Sequence, residues 1–155
     1  MIQRKQSLFL LGSIMVCVVM YFLPLGFISS DDVIRFSVCG FFNAESGEMI
    51  QYNWILSTVL SIVLVLQFTC IFLFKNRIRQ ALVTQIALFF ILVFVVLALL
   101  YQDIASILFK TGSAEQVIEY NWNIILMAVA WILTYLALRA IKKDEALVRS
   151  ADRMR

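Results

Sequence analysis

Four long runs of apolar residues, separated by short polar segments, dominate the pattern along the chain. They cover approximately residues 8–28, 54–74, 81–101 and 122–141. Each run matches the roughly 20 residues that an α-helix needs to cross the hydrocarbon core of a bilayer. The pattern therefore predicts an all-α membrane protein, a single domain over residues 1–155 built as a four-transmembrane-helix bundle. Because Pro24 has no N–H to donate, the first helix is expected to kink or stop there.

The two loops on the side opposite the termini have patterns of their own. In the first, Ile34, Phe36 and Val38 alternate with Arg35 and Ser37, and the turn-forming run NAESGE precedes Met49–Tyr52. This alternation predicts a small β-hairpin lying across the outer mouth of the bundle. The second loop, residues 102–121, is expected to be partly helical, with a break at Thr111–Ser113.

The tripeptide YNW occurs twice, at Tyr52–Trp54 and Tyr120–Trp122, where the chain re-enters the membrane. Tryptophan and tyrosine favour the headgroup level of a bilayer, so both copies fit the boundary of a span. Two origins remain open for the repeat. It reflects either duplication of a two-helix hairpin or convergence on good interfacial residues.

The distribution of charge predicts the orientation of the chain. Eleven of the thirteen basic residues fall on the side of the termini with only three acids, while the opposite side holds two basic and seven acidic residues. The eleven are Arg4, Lys5, Lys75, Arg77, Arg79, Arg139, Lys142, Lys143, Arg149, Arg153 and Arg155. Since basic residues in short loops stay in the cytoplasm, both termini are expected to be cytoplasmic.

Composition supports a membrane class and argues against catalysis. The hydrophobic fraction is 63%, above the half that is usual for soluble domains. The chain has no histidine, and its three cysteines form no CxxC pair. Because no catalytic or phosphate-binding motif is present either, no enzymatic activity, cofactor, metal or nucleic-acid partner is expected. Within the spans, Gln67 and Gln85 are predicted to lie at similar depth and to hydrogen-bond across helices.

The tail after residue 141 is rich in charge and in helix-forming residues, so span four is expected to continue as a cytoplasmic helix. Arg149 is spaced to pair with Glu145 and Asp152, and Leu147, Ala151 and Met154 fall along one stripe. Two interpretations are open: a solvated helix that anchors the bundle near anionic lipid, or a docking helix for a cytoplasmic protein.

The opening MIQRKQ, the turn IFLFKNRIRQ and the ending KKDEALVRSADRMR resemble an uncharacterised family of small four-span inner-membrane proteins from Bacteroidota, a domain of unknown function similar to DUF4293. The resemblance covers the whole chain and implies a bacterial inner-membrane location. The family carries no established substrate, cofactor or catalytic residue. It implies three signature stretches, Gln3–Arg4, Arg77–Gln80 and residues 144–155.

Two functions follow as hypotheses. The first is a non-catalytic structural or accessory protein that binds a membrane or cytoplasmic partner through its basic face, where Arg77 and Arg79 are expected to reach Asp144 or Glu145. The candidate partner-binding residues are Arg4, Arg77, Arg79, Gln80, Asp144, Glu145, Leu147, Arg149, Ala151, Asp152, Arg153 and Met154. The alternative is small-molecule or lipid transport through a cavity between the helices, for which Gln67 and Gln85 are the support.

Overall fold

The described residues form four long α-helices and one small antiparallel sheet. The computed structural model describes residues 3–29, 33–108 and 117–153. The helices are α1 (Gln3–Met20), α2 (Trp54–Phe72), α3 (Arg77–Leu108) and α4 (Ile125–Arg153). The strands are β1 (Pro24–Ser29), β2 (Val33–Ser37), β3 (Gly40–Asn43), β4 (Met49–Tyr52) and β5 (Val117–Tyr120). Short 3-10 turns at Leu73–Lys75 and Trp122–Ile124 precede α3 and α4.

The helices run in alternating directions, and α1 packs against both α2 and α4, as does α3. One end of the molecule holds Gln6, residues 73–80 and α4 from Arg139 onward, and we call it the basic end. Contacts of Asp144 with Gln6 and with Arg77 bring these segments together. The opposite end carries the strands, and we call it the sheet end.

Three helical segments among the described residues are long and apolar enough to cross a bilayer: Trp54–Phe72, Arg77–Tyr101 and Trp122–Val148. Large apolar side chains cover their outer surfaces, with Phe68, Phe89 and Ile132 more than half exposed. A soluble protein rarely leaves so much apolar surface in contact with water. These helices indicate a membrane protein.

The predicted first span, residues 8–28, is wrong in its second half. Helix α1 ends at Met20, its apolar part covers only Gln6–Met20, and residues 24–29 form strand β1. The predicted stop caused by Pro24 is confirmed, because a proline ring clashes with the helical carbonyl four residues earlier, here that of Met20. The other helices begin or end near their predicted boundaries, although α3 is longer at both ends.

The sheet is larger than the predicted hairpin. Its strand order is β4-β3-β2-β1-β5, with antiparallel pairing throughout. The predicted strands β2 and β4 are not neighbours, because β3 lies between them. The apolar members of the predicted alternation, Ile34, Phe36 and Val38, are all buried, although Ser37 on the opposite face is buried as well. Thr111–Ser113, the predicted break in the second loop, lies outside the described residues.

Gly40 explains why β3 fits between β2 and β4. A Cβ at this position would overlap the backbone carbonyl oxygen of Gln51 on β4. Any other residue would therefore force the two strands apart, since backbone atoms cannot give way as a flexible side chain can.

The sheet and the helices share one continuous core at the sheet end. Phe36 from β2 packs in the same buried cluster as Leu56, Phe94 and Met127 from α2, α3 and α4. Short strands are only marginally stable in water on their own, and this packing against the helices stabilises them. The sheet is thereby fixed on the ends of the helices.

Both copies of YNW have the same local structure. Each tyrosine ends a strand, each asparagine caps the following helical turn, and each tryptophan begins that turn. The Asn53 side chain accepts from the Leu56 amide at 3.4 Å, and that of Asn121 accepts from the Asn123 amide at 3.3 Å. The repeat therefore encodes a strand-to-helix junction with a side-chain cap.

Candidate functional site

Helix α1 directs polar side chains toward the other helices at three levels. Gln6 contacts the basic end, Ser13 lies in the middle, and Tyr21, directly after the helix, contacts α2 near the sheet end. A spacing of seven residues places Gln6 and Ser13 on one side of the helix, and Tyr21 follows its last residue. The first helix is therefore joined to the others along its whole length.

At the basic end, a buried carboxylate connects three helices. Asp144 on α4 is only 4% exposed, and its Oδ2 lies 3.2 Å from Nη1 of Arg77, the first residue of α3. The same oxygen accepts a hydrogen bond from the Gln6 side-chain amide of α1. The predicted contact between Arg77 and Asp144 is confirmed, and Gln6 is a partner that the sequence had not suggested.

The candidate partner-binding residues separate into buried and exposed groups. Gln80 is buried and donates from its side-chain amide to the Cys70 carbonyl at 2.9 Å, which ties α3 to α2. Arg79 and Leu147, by contrast, are exposed. The interior members of the set therefore hold the helix ends together, while Arg79 and Leu147 remain available at the surface.

The described part of the structure leaves out the side chains of several predicted partner-binding residues. These are the side chains of Arg4, Arg149, Ala151, Asp152 and Arg153, together with the whole of Met154. The pairing of Arg149 with Glu145 and Asp152 stays a prediction for that reason. The backbone does confirm the predicted helical tail, because α4 continues to Arg153.

In the middle of the helices, Gln67 joins α2 to α1 and α4. Its side-chain amide donates to Ser13 Oγ at 2.7 Å and to Thr134 Oγ1 at 3.2 Å. Both hydroxyls lie within 3.0 Å of the Ala130 carbonyl oxygen. All three side chains are fully buried. The side-chain carbonyl of Gln67 has no hydrogen-bond partner among the described residues.

The predicted hydrogen bond between Gln67 and Gln85 is wrong. Gln85 is exposed, and the described residues show no bond between the two amides. Thr84 occupies the buried position on α3, and the next residue lies about 100° further around a helix with 3.6 residues per turn. The two glutamines therefore do not line a common polar path, which removes that support for transport.

The chemistry of the central cluster is that of hydrogen bonding. Its members are two hydroxyls and an amide, which are donors and acceptors but do not exchange protons readily near neutral pH. Polar side chains of this kind commonly join helices within membranes. The arrangement therefore connects helices and holds their register.

Sequence reasoning missed the cluster members Ser13 and Thr134, and also Tyr21. The Tyr21 hydroxyl donates to the Ser57 carbonyl at 3.0 Å and lies 2.7 Å from Ser61 Oγ. A usable signal was present, because Gln6 and Ser13 are seven residues apart within an apolar helix. Two polar positions on one helical face predict an interface with other helices rather than with lipid.

The family model for a domain of unknown function, DUF4293, matches residues 2–154. The chain belongs to this family. No curated protein matches the sequence. The DUF4293 match confirms the resemblance seen in the termini and in the turn between α2 and α3. It includes every residue from Gln6 to Asp144, and thus all three levels of polar contact along α1.

Proposed function

We propose that this DUF4293 protein is a non-catalytic membrane protein with four spans that binds a partner protein through its basic end. The observation that carries the proposal is the cluster in which the buried Gln6 and Asp144 side chains meet the half-buried Arg77. It holds the ends of α1, α3 and α4 together, and α4 continues from it as a charged helix. The joined helix ends form a fixed base, and the charged end of α4 that extends from it is suited to recognising a partner protein.

In this proposal α1 also crosses the membrane, which brings the number of spans to four. Its apolar part is short, but hydrogen bonds hold it beside α2 and α4 from the basic end to the sheet end. Leu8, Leu11 and Met15 on its surface are 71%, 57% and 58% exposed, as expected for side chains in contact with lipid. The excess of basic residues favours a cytoplasmic basic end, and the family resemblance supports a bacterial inner membrane.

The depths of the three tryptophans test this arrangement. Trp54 begins α2 and Trp122 begins the 3-10 turn before α4, both at the sheet end, and Trp131 lies in α4 nine residues after Trp122. At 1.5 Å per residue, Trp131 is about 13 Å deeper than Trp122, close to the centre of a core about 30 Å thick. In single-tryptophan variants with phenylalanine at the other two positions, we expect brominated phospholipids to quench Trp131 best when bromine is near the chain end. Trp54 and Trp122 should be quenched best by bromine near the headgroup.

Equal quenching of all three tryptophans at every bromine position would contradict the spanning arrangement. Each variant should be compared with the same variant unfolded in detergent, which reports the intrinsic response of that fluorophore. Trp131 is the most informative of the three because the proposed arrangement puts it alone near the centre of the hydrocarbon core.

The exposed groups of the basic end define the chemistry of the partner. Arg79, Lys142 and Lys143 are exposed cations, while Leu147 and Val148 are 51% and 48% exposed apolar residues on the helix that follows them. The matching surface is therefore acidic with an apolar recess. Charge would guide the approach and the apolar contact would contribute to affinity.

Site-specific photocrosslinking tests this binding in native membranes. A photoreactive amino acid at Leu147 should give a discrete protein adduct, because that side chain lies on the proposed contact surface. The same amino acid at Ile50, which is 47% exposed at the sheet end, is the matched control. Arg79→Glu should strongly reduce the adduct at position 147, and added salt should weaken it as well.

Two outcomes would contradict the proposal. Crosslinks from position 147 to lipid alone would favour the interpretation of the tail as a lipid anchor. Identical protein adducts from positions 147 and 50 would indicate non-specific collision. Any truncation used alongside should begin after Asp144, since removing that residue would also remove the buried contacts to Gln6 and Arg77.

A further inference from the structure

An open apolar groove of about 540 Å³ runs between α3 and α4. Its floor consists of the fully buried Ile91 and Met127, and Leu92 and Ile132 form exposed walls. Ala128 lies in the α4 wall, where its small side chain leaves space that a larger residue would fill. The groove is therefore a recess in the outer surface of the helices rather than an internal channel.

The length of the groove restricts what can occupy it. It extends from Leu99 and Ile124 near the sheet end to Ile91 and Ile132. Eight residues of helix correspond to about 12 Å, slightly less than half of a hydrocarbon core about 30 Å thick. The groove is thus confined to the leaflet on the side of the sheet end. A transmembrane helix from a partner or a second copy would cross both leaflets, so its length would not match a groove that is confined to one leaflet.

We infer that this groove is a binding site for one acyl chain of a phospholipid from the leaflet on the side of the sheet end. An acyl chain is confined to one leaflet, as the groove is. The lining side chains are hydrocarbon apart from the indole of Trp131 and the thioether of Met127, so binding would come from close packing with the chain rather than from polar contacts. The inference uses the spanning arrangement proposed above but not the partner at the basic end.

Photolabelling with phospholipids that carry a diazirine on one acyl chain tests the inference in reconstituted vesicles. We expect residues 91–99 and 124–132 to take up several-fold more label than equally exposed surfaces of α1 and α2. A diazirine near the carboxyl end should label Leu99 and Ile124, and one at the chain terminus should label the exposed wall residues Leu92 and Ile132. Peptide mass spectrometry locates the adducts.

A matched pair of substitutions on α3 provides the control. Leu92 in the groove wall and Leu82 near the basic end are 53% and 54% exposed. Leu92→Trp should remove most of the excess label by filling the groove, and Leu82→Trp should leave it unchanged. Ala128→Phe fills the groove from α4, so the test stands if Leu92→Trp fails to fold.

Each result separates this site from the spanning arrangement itself. Labelling spread evenly over the exposed faces of all four helices would overturn the acyl-chain site while supporting the membrane arrangement. If none of the four helices took up label, the spanning arrangement would be contradicted. Excess label that persists in both Leu92→Trp and Ala128→Phe would also overturn the site. Crosslinks joining two copies through the groove would identify a second chain as its occupant and overturn the inference.

Discussion

Replacing Arg77 with methionine should lower the free energy of unfolding by about 2 kcal/mol, less than the loss of one partner from a fully buried ion pair, because the Arg77 side chain is 28% exposed. The loss is expected because the Asp144 side chain, only 4% exposed, would lose its contact with the neighbouring guanidinium. The hydrogen bond from Gln6 would remain, so the carboxylate would not be entirely without a donor. Titration with sodium dodecyl sulfate in mixed micelles, followed by circular dichroism, measures the change.

Arg79→Met is the matched control, because Arg79 lies on the same helix two residues later and is exposed. It should change the free energy of unfolding by less than about 0.5 kcal/mol. Replacing both members of the pair, as Arg77→Met with Asp144→Leu, should recover most of the loss, since well-packed apolar residues often replace buried ion pairs without cost. Equal effects of Arg77→Met and Arg79→Met would show that the pair is not a stabilising contact.

Gln67→Ala should destabilise the protein by about 2–4 kcal/mol, the usual range for a large-to-small substitution in a packed interior. Gln67 is fully buried between α1, α2 and α4, so truncation leaves a cavity. Gln67→Leu should change stability by less than about 1 kcal/mol, because a hydrogen bond between helices in a membrane contributes only about 0.6 kcal/mol on average. The leucine also removes the Gln67 carbonyl that has no partner among the described residues.

The two substitutions at Gln67 separate packing from hydrogen bonding in the same detergent titration. If Gln67→Leu costs as much as Gln67→Ala, the hydrogen bonds to Ser13 and Thr134 are the dominant contribution and the expectation is wrong. Gln85→Leu is the control of identical chemistry at an exposed position. It should have little effect on the free energy of unfolding, since it neither opens a cavity nor removes a contact between helices.

Features with a strong local cause could be predicted from sequence. Apolar runs identified the main helices, and the clash of the Pro24 ring stopped the first one at Met20. Ile34 and Phe36, which alternate with polar residues in β2, are both buried. The contact of Arg77 with Asp144 was also predictable, because both lie where helix ends converge and opposite charges attract.

Features that depend on rotation about a helix or on distant pairing could not be predicted in this way. Equal depth in a hairpin does not specify which face of α3 carries Gln85, and the adjacent Thr84 takes the buried position. Strand β1 was hidden inside an apolar run, because PLGFIS satisfies a hydropathy criterion for a span as well as for a buried strand. Strand β3 was missed because the close approach of Gly40 to Gln51 is set by tertiary structure.

The place of β5 in the sheet determines the order in which the protein can be assembled. Gly26–Ser29 of β1 pair on their free side with Val117–Tyr120, which are synthesised only after α2 and α3. Contacts between such distant parts of a chain form late, because the intervening loop must close first. Until β5 arrives, one edge of β1 stays open to unwanted strand pairing. The pairing of β5 is therefore the last step in forming the sheet, and it connects the segment after the first helix to the segment before the final one.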